Sequence, residues 1–342
     1  MTTTPPAERL RFSCGFPPSL DTPDHIALAE SLGYTRAWCY DSPSFYSDTW
    51  MILGLAAART NRIGLGTAVL VPSLREIMTT ASAIATLEGL APGRVAITVG
   101  TGLSGRIVLG KAPMRWDDVA DYVRALRSLL TGADTVYQGS TLRMLHGARF
   151  TAPALDRIPL LIAADGPKGR AVATDLGDGT FMMRPPEQPL GEELPPWRAT
   201  FVLGTVLEPG EASSSPRARA ATAASTAANY HLLYQTAGHA VDRLPGGRRW
   251  RESVESTPAP TRHLEVHAGH LVAPNRHDLL VLDEAQTSNE SPLPVVALTP
   301  QMWRARLTAL ADTGITEVAY QPMGPDIERE LTAFAQVAGL AG

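Results

Sequence analysis

Short apolar runs alternate with stretches of helical periodicity along the first two-thirds of the chain. Arg11–Phe16, Ala37–Tyr40, Arg62–Val71, Val95–Val99, Pro159–Ala163 and Gly179–Met183 read as strands, and so do Thr200–Leu207 and Ile315–Tyr320 further on. Between them, Ser47–Thr60, Arg75–Leu90, Lys168–Leu176 and Asp326–Val337 read as helices. Trp116, Val119, Tyr122, Val123, Leu126, Leu129 and Leu130 form one apolar stripe at helical spacing. Thr22-Pro23-Asp24 supplies an N-cap, a proline at the first helical position and an acid in the first turn, and Gly33 ends that helix. Val95-Ala96-Ile97-Thr98-Val99 is nearly apolar throughout and does not alternate, which is how a parallel strand covered on both faces reads. Strands separated by helices in this way predict an α/β (β/α)8 TIM barrel, with a doubly wound sheet as the alternative.

Two regions break the rhythm. Thr135–Thr151 carries a strand-like piece, Leu142–Leu145, and is expected to be a hairpin. Residues 208–313 are far too long for one connection and hold a helical stretch, Arg217–Ala237, among Pro- and Ser-rich loops. The expectation is one barrel domain over residues 1–342, with 208–313 as an insertion between the seventh and eighth strands, over the mouth of the barrel.

Composition narrows the classes. The formal net charge of -4 gives no basic surface for general nucleic-acid binding. A hydrophobic share of 44% excludes global disorder. No apolar run approaches the roughly 20 residues of a membrane helix. Met1 to Leu10 is polar and lacks the apolar region of a signal peptide, so a cytoplasmic protein is expected. Two cysteines, Cys14 and Cys39, cannot build a disulfide scaffold or a four-cysteine zinc site, and are read as buried thiols. All but two of the 30 basic residues are arginines; the exceptions are Lys111 and Lys168.

Gly100-Thr101-Gly102-Leu103-Ser104-Gly105 follows the fourth strand and matches a dinucleotide-binding glycine pattern. Gly110 and Pro113 rule out the long helix that pattern requires, and no strand-ending acid follows about 20 residues on. In a barrel the same glycines would let a flat ring approach the backbone. Ala163-Ala164-Asp165-Gly166-Pro167-Lys168-Gly169 joins the fifth strand to a helix. There Gly166 permits an unusual turn, Pro167 fits the first helical position, and the exposed amides with Lys168 suit one phosphate. Tyr40 and Asp41 end the second strand, where barrel catalytic groups sit. His263, His267 and His270 have spacings that invite zinc, but Gly269 and Pro274 interrupt the helix and nothing nearby completes a site. They are read as loop histidines, with no metal expected; they and His146 remain available to line a substrate pocket.

Gly64-Leu65-Gly66-Thr67-Ala68-Val69-Leu70-Val71-Pro72 resembles the third-strand segment of the bacterial luciferase-like flavin and deazaflavin oxidoreductases, and Val99-Gly100-Thr101-Gly102 resembles their fourth-strand end. Ile158-Pro159 through Lys168 resembles their phosphate turn, and Gly314–Val318 with Gln321-Pro322 their last strand. The resemblance spans most of residues 10–185 and 300–339. It implies a barrel that binds coenzyme F420, or alternatively FMN, against Gly15, Phe16, Thr67, Ala68, Val69, Gly100, Thr101, Gly102, Ala164, Asp165, Gly166, Pro167 and Lys168. It also implies a non-prolyl cis peptide at Ala68–Val69. Arg106, Lys111 and Arg115 are placed to meet the acidic tail of the deazaflavin. The implied reaction is hydride transfer between reduced F420 and a C=C, C=N or C=O group of a small-molecule or peptide substrate. The alternatives are a reduced-FMN monooxygenase, a non-catalytic flavin-binding barrel, and a phosphate-binding lyase or isomerase. A homodimer and a separate reductase that supplies reduced cofactor complete the expectation.

Overall fold

The computed structural model describes residues 10–147, 149–150, 155–287 and 295–340. Met1 to Ala7 and the other residues before Leu10, including most of the segment read for a leader, lie outside them. The chain divides into two compact units, Met1–Phe201 with Ala309–Ala319, and Val202–Thr308 with Tyr320–Gly342.

The first unit is built on β1 (Arg11–Phe16), β2 (Arg36–Cys39), β3 (Gly64–Leu70) and β4 (Val95–Val99), followed by the hairpin β5 (Thr135–Tyr137) and β6 (Ser140–Leu142). Then come β7 (Leu160–Ala163), β8 (Gly179–Met182), β9 (Trp197–Val206) and, after β10 (Val295–Leu298), β11 (Glu317–Gln321). Neighbours run β9-β11-β1-β2-β3-β4-β7-β8, and β8 pairs back to β9, so eight strands close a parallel barrel. Closure uses the halves of β9 and β11 that belong to this unit: Arg11 N donates to Thr316 O at 2.9 Å, and Thr316 N to Arg198 O at 2.9 Å.

The helices α1 (Thr22–Ser31), α2 (Thr49–Arg59), α3 (Ile77–Leu90), α4 (Leu103–Ile107), α5 (Trp116–Leu130) and α6 (Pro167–Leu176) fall between the strands. The stripe read at 116–130 is the buried face of α5. The α1 cap differs from expectation. Asp21 is the N-cap and Thr22 is already helical, because the Thr22 hydroxyl faces back and accepts from Ser19 N at 2.8 Å. The hairpin's second strand lies at Ser140–Leu142, earlier than Leu142–Leu145.

One end of the barrel is plugged by polar groups from strand starts. Glu317 accepts from Ser13 Oγ at 2.7 Å, Trp38 Nε1 at 2.9 Å and Trp197 Nε1 at 2.8 Å. The Arg36 guanidinium lies over the Trp38 and Trp197 rings, and burial pushes it down to about 10. These groups fill the N-terminal end of the strands, leaving the C-terminal end for chemistry.

The second unit holds α7 (Pro216–Ala237), α8 (Gly247–Glu255), α9 (Arg262–Val266) and α10 (Leu282–Ala285), with α11 (Pro300–Asp312) leading back to β11 and α12 (Ile327–Ala338) closing the chain. Ser215 caps α7 by accepting from Ala218 N at 3.1 Å. Trp250, Tyr230, Val241, Val254, Val266 and Val281 form a core of their own. The strand β10 and the helix α11 were not read from the sequence. β10 pairs with β9 through Gly204, whose φ of 142° and lack of a Cβ let Val296 O come within 2.0 Å of where that atom would stand.

Candidate active site at the C-terminal ends of the strands

The C-terminal ends of β1, β2, β3, β4 and β7 are neighbours on one rim of the barrel, because those strands are adjacent and parallel. Gly15 and Phe16 end β1. Tyr40 N donates to Phe16 O at 3.2 Å, so the β2 end is tied to the β1 end. The Tyr40 ring packs edge-on against Phe201 at 5.7 Å and beside Tyr46 at 6.2 Å. A Cβ on Gly15 would stand 2.5 Å from Phe201 Cε1 and 3.3 Å from the Tyr40 hydroxyl. Burial, then the neighbouring Tyr46 phenol, pushes Tyr40 well above its ordinary range, so it stays protonated.

Asp41 lies next in the chain but plays a different part. It is buried and receives Arg75 NH2 at 3.1 Å, while the same nitrogen donates to Asp48 Oδ2 at 2.8 Å. Asp48 Oδ1 caps α2 through Trp50 N at 3.0 Å and Met51 N at 3.1 Å. Burial raises the Asp41 carboxyl against the opposing pull of Arg75. For Asp48, burial is outweighed by Arg75 and the α2 amides, and its carboxyl falls below the ordinary value. Arg75 thus joins the β2 end, the start of α2 and the approach to α3. No sequence motif marks it.

The Ala68–Val69 peptide at the end of β3 is cis, as the resemblance implied. The β3–β4 register shifts there, between Ala68 and Leu70. Thr67, fully buried one residue earlier, and Thr98 on β4 have hydroxyls without a hydrogen-bond partner among the described residues. The Gly100 side-chain direction is taken by Val69 Cγ2 and Ala163 Cβ, both 3.2 Å away. Gly102 has φ 77° and starts α4, which runs for five residues; a Cβ there would stand 2.3 Å from Val71 Cγ1. Thr101 O accepts Met114 N at 3.0 Å. The space beside Gly15, Gly100 and Gly102 is therefore filled by neighbours. These glycines bring strand ends together, and their Cβ directions do not open onto free room for a ring.

Gly166 is the exception. Nothing lies within 4 Å of its missing Cβ. Its backbone is ordinary extended, φ -100° and ψ 167°, which corrects the expectation of an unusual turn: Pro167 needs an extended residue before it, and any residue supplies that. Pro167 starts α6, and no side chain caps that end. Lys168 is exposed and makes no ion pair among the described residues. Gly169 lets Trp116 of α5 pack within 2.4 Å of its Cβ direction, which fixes the helix start. Asp165 Oδ1 accepts Met183 N at 2.9 Å and Arg184 N at 3.3 Å, and so binds the β7 turn to the β8 end. Ala164 is buried, with its N donating to Phe181 O at 2.9 Å. A groove of about 770 Å3 runs from Asp165 and Pro167 along α6 to Glu193.

These residues fit a phosphate-bearing cofactor at this turn: uncapped amides, open space at Gly166 and an unpaired Lys168 form a donor set for one phosphate. The orphaned Thr67 hydroxyl beside the cis peptide fits the polar edge of a ring. Arg106 and Arg115 are less available than their sequence suggested. Arg106 donates to Ala112 O at 2.6 Å and to Ser73 Oγ, and Arg115 pairs with Asp117 at 3.0 Å. Cys14 and Cys39 are buried free thiols; burial pushes Cys39 up to about 12, and burial, then Cys39 and Glu317, raises Cys14 well above its ordinary value.

A closed parallel barrel, with a polar plug at the strand starts and the candidate site at the strand C-termini, defines the class. Residues 17–202 match the model of the luciferase-like monooxygenase family, more than half of the chain, and the protein belongs to that family. It is 37% identical over 174 residues to an F420-dependent glucose-6-phosphate dehydrogenase of Beutenbergia cavernae, covering 45% of this chain and 50% of that one. It is 28% identical over 169 residues to a 5,10-methylenetetrahydromethanopterin reductase of Methanolobus tindarius, covering 48% and 50%. The chain thus spans about half the length of these curated relatives. Among solved structures, an F420-dependent secondary alcohol dehydrogenase in complex with an F420-acetone adduct superposes with a TM-score of 0.65 at 18% identity, over 98% of this chain and 99% of that one. That likeness supports the barrel. Among the described residues no helix is long and apolar enough to cross a membrane.

Proposed function

We propose that this protein is an F420-dependent oxidoreductase that transfers a hydride between the reduced deazaflavin and a C=C, C=N or C=O group of a small-molecule or peptide substrate. The observation that carries the reading is the uncapped α6 start, with Gly166 open and Lys168 unpaired, on the same rim as the cis Ala68–Val69 peptide. The name of the aligned Beutenbergia cavernae relative, an F420-dependent glucose-6-phosphate dehydrogenase, supports F420 over FMN.

When bound, the deazaflavin supplies a ring carbon that gives or takes a hydride. Lys168 and the α6 amides hold its phosphate. Thr67 accepts or donates a hydrogen bond at the ring edge. Tyr40, kept protonated by burial, holds a proton at its phenol oxygen, available to a substrate heteroatom as charge develops there. Asp41 acts through Arg75, which fixes the loop that carries Tyr46 and Asp48. A separate reductase or dehydrogenase regenerates the reduced cofactor.

Titration with F420 and with FMN, each followed by ring fluorescence, tests the reading. Saturable binding of F420 with weak or absent FMN binding is expected. Tight FMN binding without a response to F420 would instead favour a reduced-FMN monooxygenase; monooxygenase is the word in the family's description.

A further inference from the structure

The second unit contains a group of imidazoles that the proposed reaction does not use. His231, on α7, meets His267 and His270, and one ring nitrogen from each lies within 4.8 Å of the others. Ring centroids are 5.6 Å apart for His231 and His267, 6.1 Å for His231 and His270, and 5.3 Å for His267 and His270. His231 and His267 are buried, and His270 is partly exposed. His270 N donates to His267 O at 3.1 Å across a turn that needs Gly269, where φ is 71° and a Cβ would strike Ala273 O at 2.3 Å.

Behind His231 stands a buried carboxylate. Asp278 lies 3.0 Å from His231 Nε2 and also accepts Trp250 Nε1 at 2.8 Å and Asn275 N at 2.8 Å. No Lys or Arg pairs with Asp278 among the described residues. With Nε2 committed to that carboxylate, His231 is left with Nδ1, which is buried and has no hydrogen-bond partner. A carboxylate that fixes one ring nitrogen of a histidine while the other is free is the arrangement found behind metal-ligating imidazoles. An ion would also compensate the buried carboxylate, which has no Lys or Arg counterion here.

We infer that His231, His267 and His270 form a three-histidine site for a divalent cation of the zinc class, oriented by Asp278 and completed by a solvent ligand. Tetrahedral Zn–N bonds place donor nitrogens about 3.4 Å apart, so separations of up to 4.8 Å would close by small rotations of the rings. Three nitrogens and one open position favour Zn2+ over the oxygen-seeking Mg2+ and Ca2+. His263, the third member of the sequence triplet, is replaced by His231 from a helix far upstream.

The untagged full-length chain, stripped with a chelator, is titrated with Zn2+ and with Co2+. One ion per chain and a Co2+ absorption spectrum of tetrahedral type are expected. His270→Ala removes the most exposed ligand and is expected to weaken binding at least a hundredfold while its circular dichroism matches that of the stripped wild type. Asp278→Asn is expected to weaken binding tenfold to a hundredfold and to keep the one-ion stoichiometry. Absence of stoichiometric Zn2+ and Co2+ binding, or a His270→Ala chain that binds as wild type does, would overturn the site.

Discussion

At the scale of single residues, glycine served two purposes that look identical in sequence. Gly15, Gly100 and Gly102 lack side chains because Phe201, Val69 and Val71 occupy that space; Gly166 faces open space. Only the partner atoms, which come from distant strands, distinguish the two. The position of Lys168 at the start of α6 was legible because a lysine followed a Gly-Pro turn. Arg75 was not, because its partners Asp41 and Asp48 lie 34 and 27 residues upstream. Arg170 sits two residues beyond Lys168 on the same helix and lines the adjoining groove. If the phosphate is held at the helix start, Lys168→Ala should raise the dissociation constant for F420 about tenfold, and Arg170→Ala should change it less than threefold. Fluorescence titration of both variants checks this, and equal effects would return Lys168 to ordinary surface charge.

At the scale of elements, apolar runs and caps located the barrel strands to within a few residues, because both faces of each are covered and the pattern is unbroken. The 208–313 segment resisted because its order comes from side-chain pairs. The α7 start shows this. Glu211 accepts Arg217 NH2 at 2.5 Å, Ser215 Oγ at 2.5 Å and Glu208 N at 2.8 Å, and Arg217 also donates to Glu330 Oε1 at 3.1 Å. Arg217, then Ser215 and the Glu208 amide, overcome partial burial to hold Glu211 at about 2. A carboxyl lowered by folding stabilises the native state above its unfolded value near 4.5 and loses that contribution as pH falls towards 2. Urea midpoints of wild type and Glu211→Gln should therefore differ at pH 7 and converge as pH falls from about 4.5 to 2. A gap that stays constant over that range would show that Glu211 contributes packing and no charge.

At the scale of the molecule, the barrel depends on closure, and closure passes through a residue whose part in it the last-strand motif did not announce. Glu317 on β11 takes hydrogen bonds from β1, β2 and β9 through Ser13, Trp38 and Trp197. The sequence displays Glu317 as an acid at the start of an apolar strand, easily read as exposed; it is 1% exposed. Its donors lie 120 to 304 residues away along the chain, so local pattern could not reveal them. Glu317→Ala would leave the Trp197 indole N–H without its acceptor, the Trp38 indole with only Ser13 Oγ at 3.2 Å, and the buried Arg36 without this counter-charge. That should cost about 3 kcal/mol, in the range found when one partner of a buried ionic network is removed. Cys14 and Cys39 report the same event, since both are buried on the strands that Ser13 and Trp38 occupy. At pH 8 neither native thiol should react with an aromatic disulfide reagent. At a fixed mild urea concentration where reclosing outpaces labelling, Glu317→Ala should accelerate labelling of both on the order of a hundredfold, as the open population rises. Loss of stability without faster labelling would mean that Glu317 stabilises the strand ends locally and that the barrel closes without it.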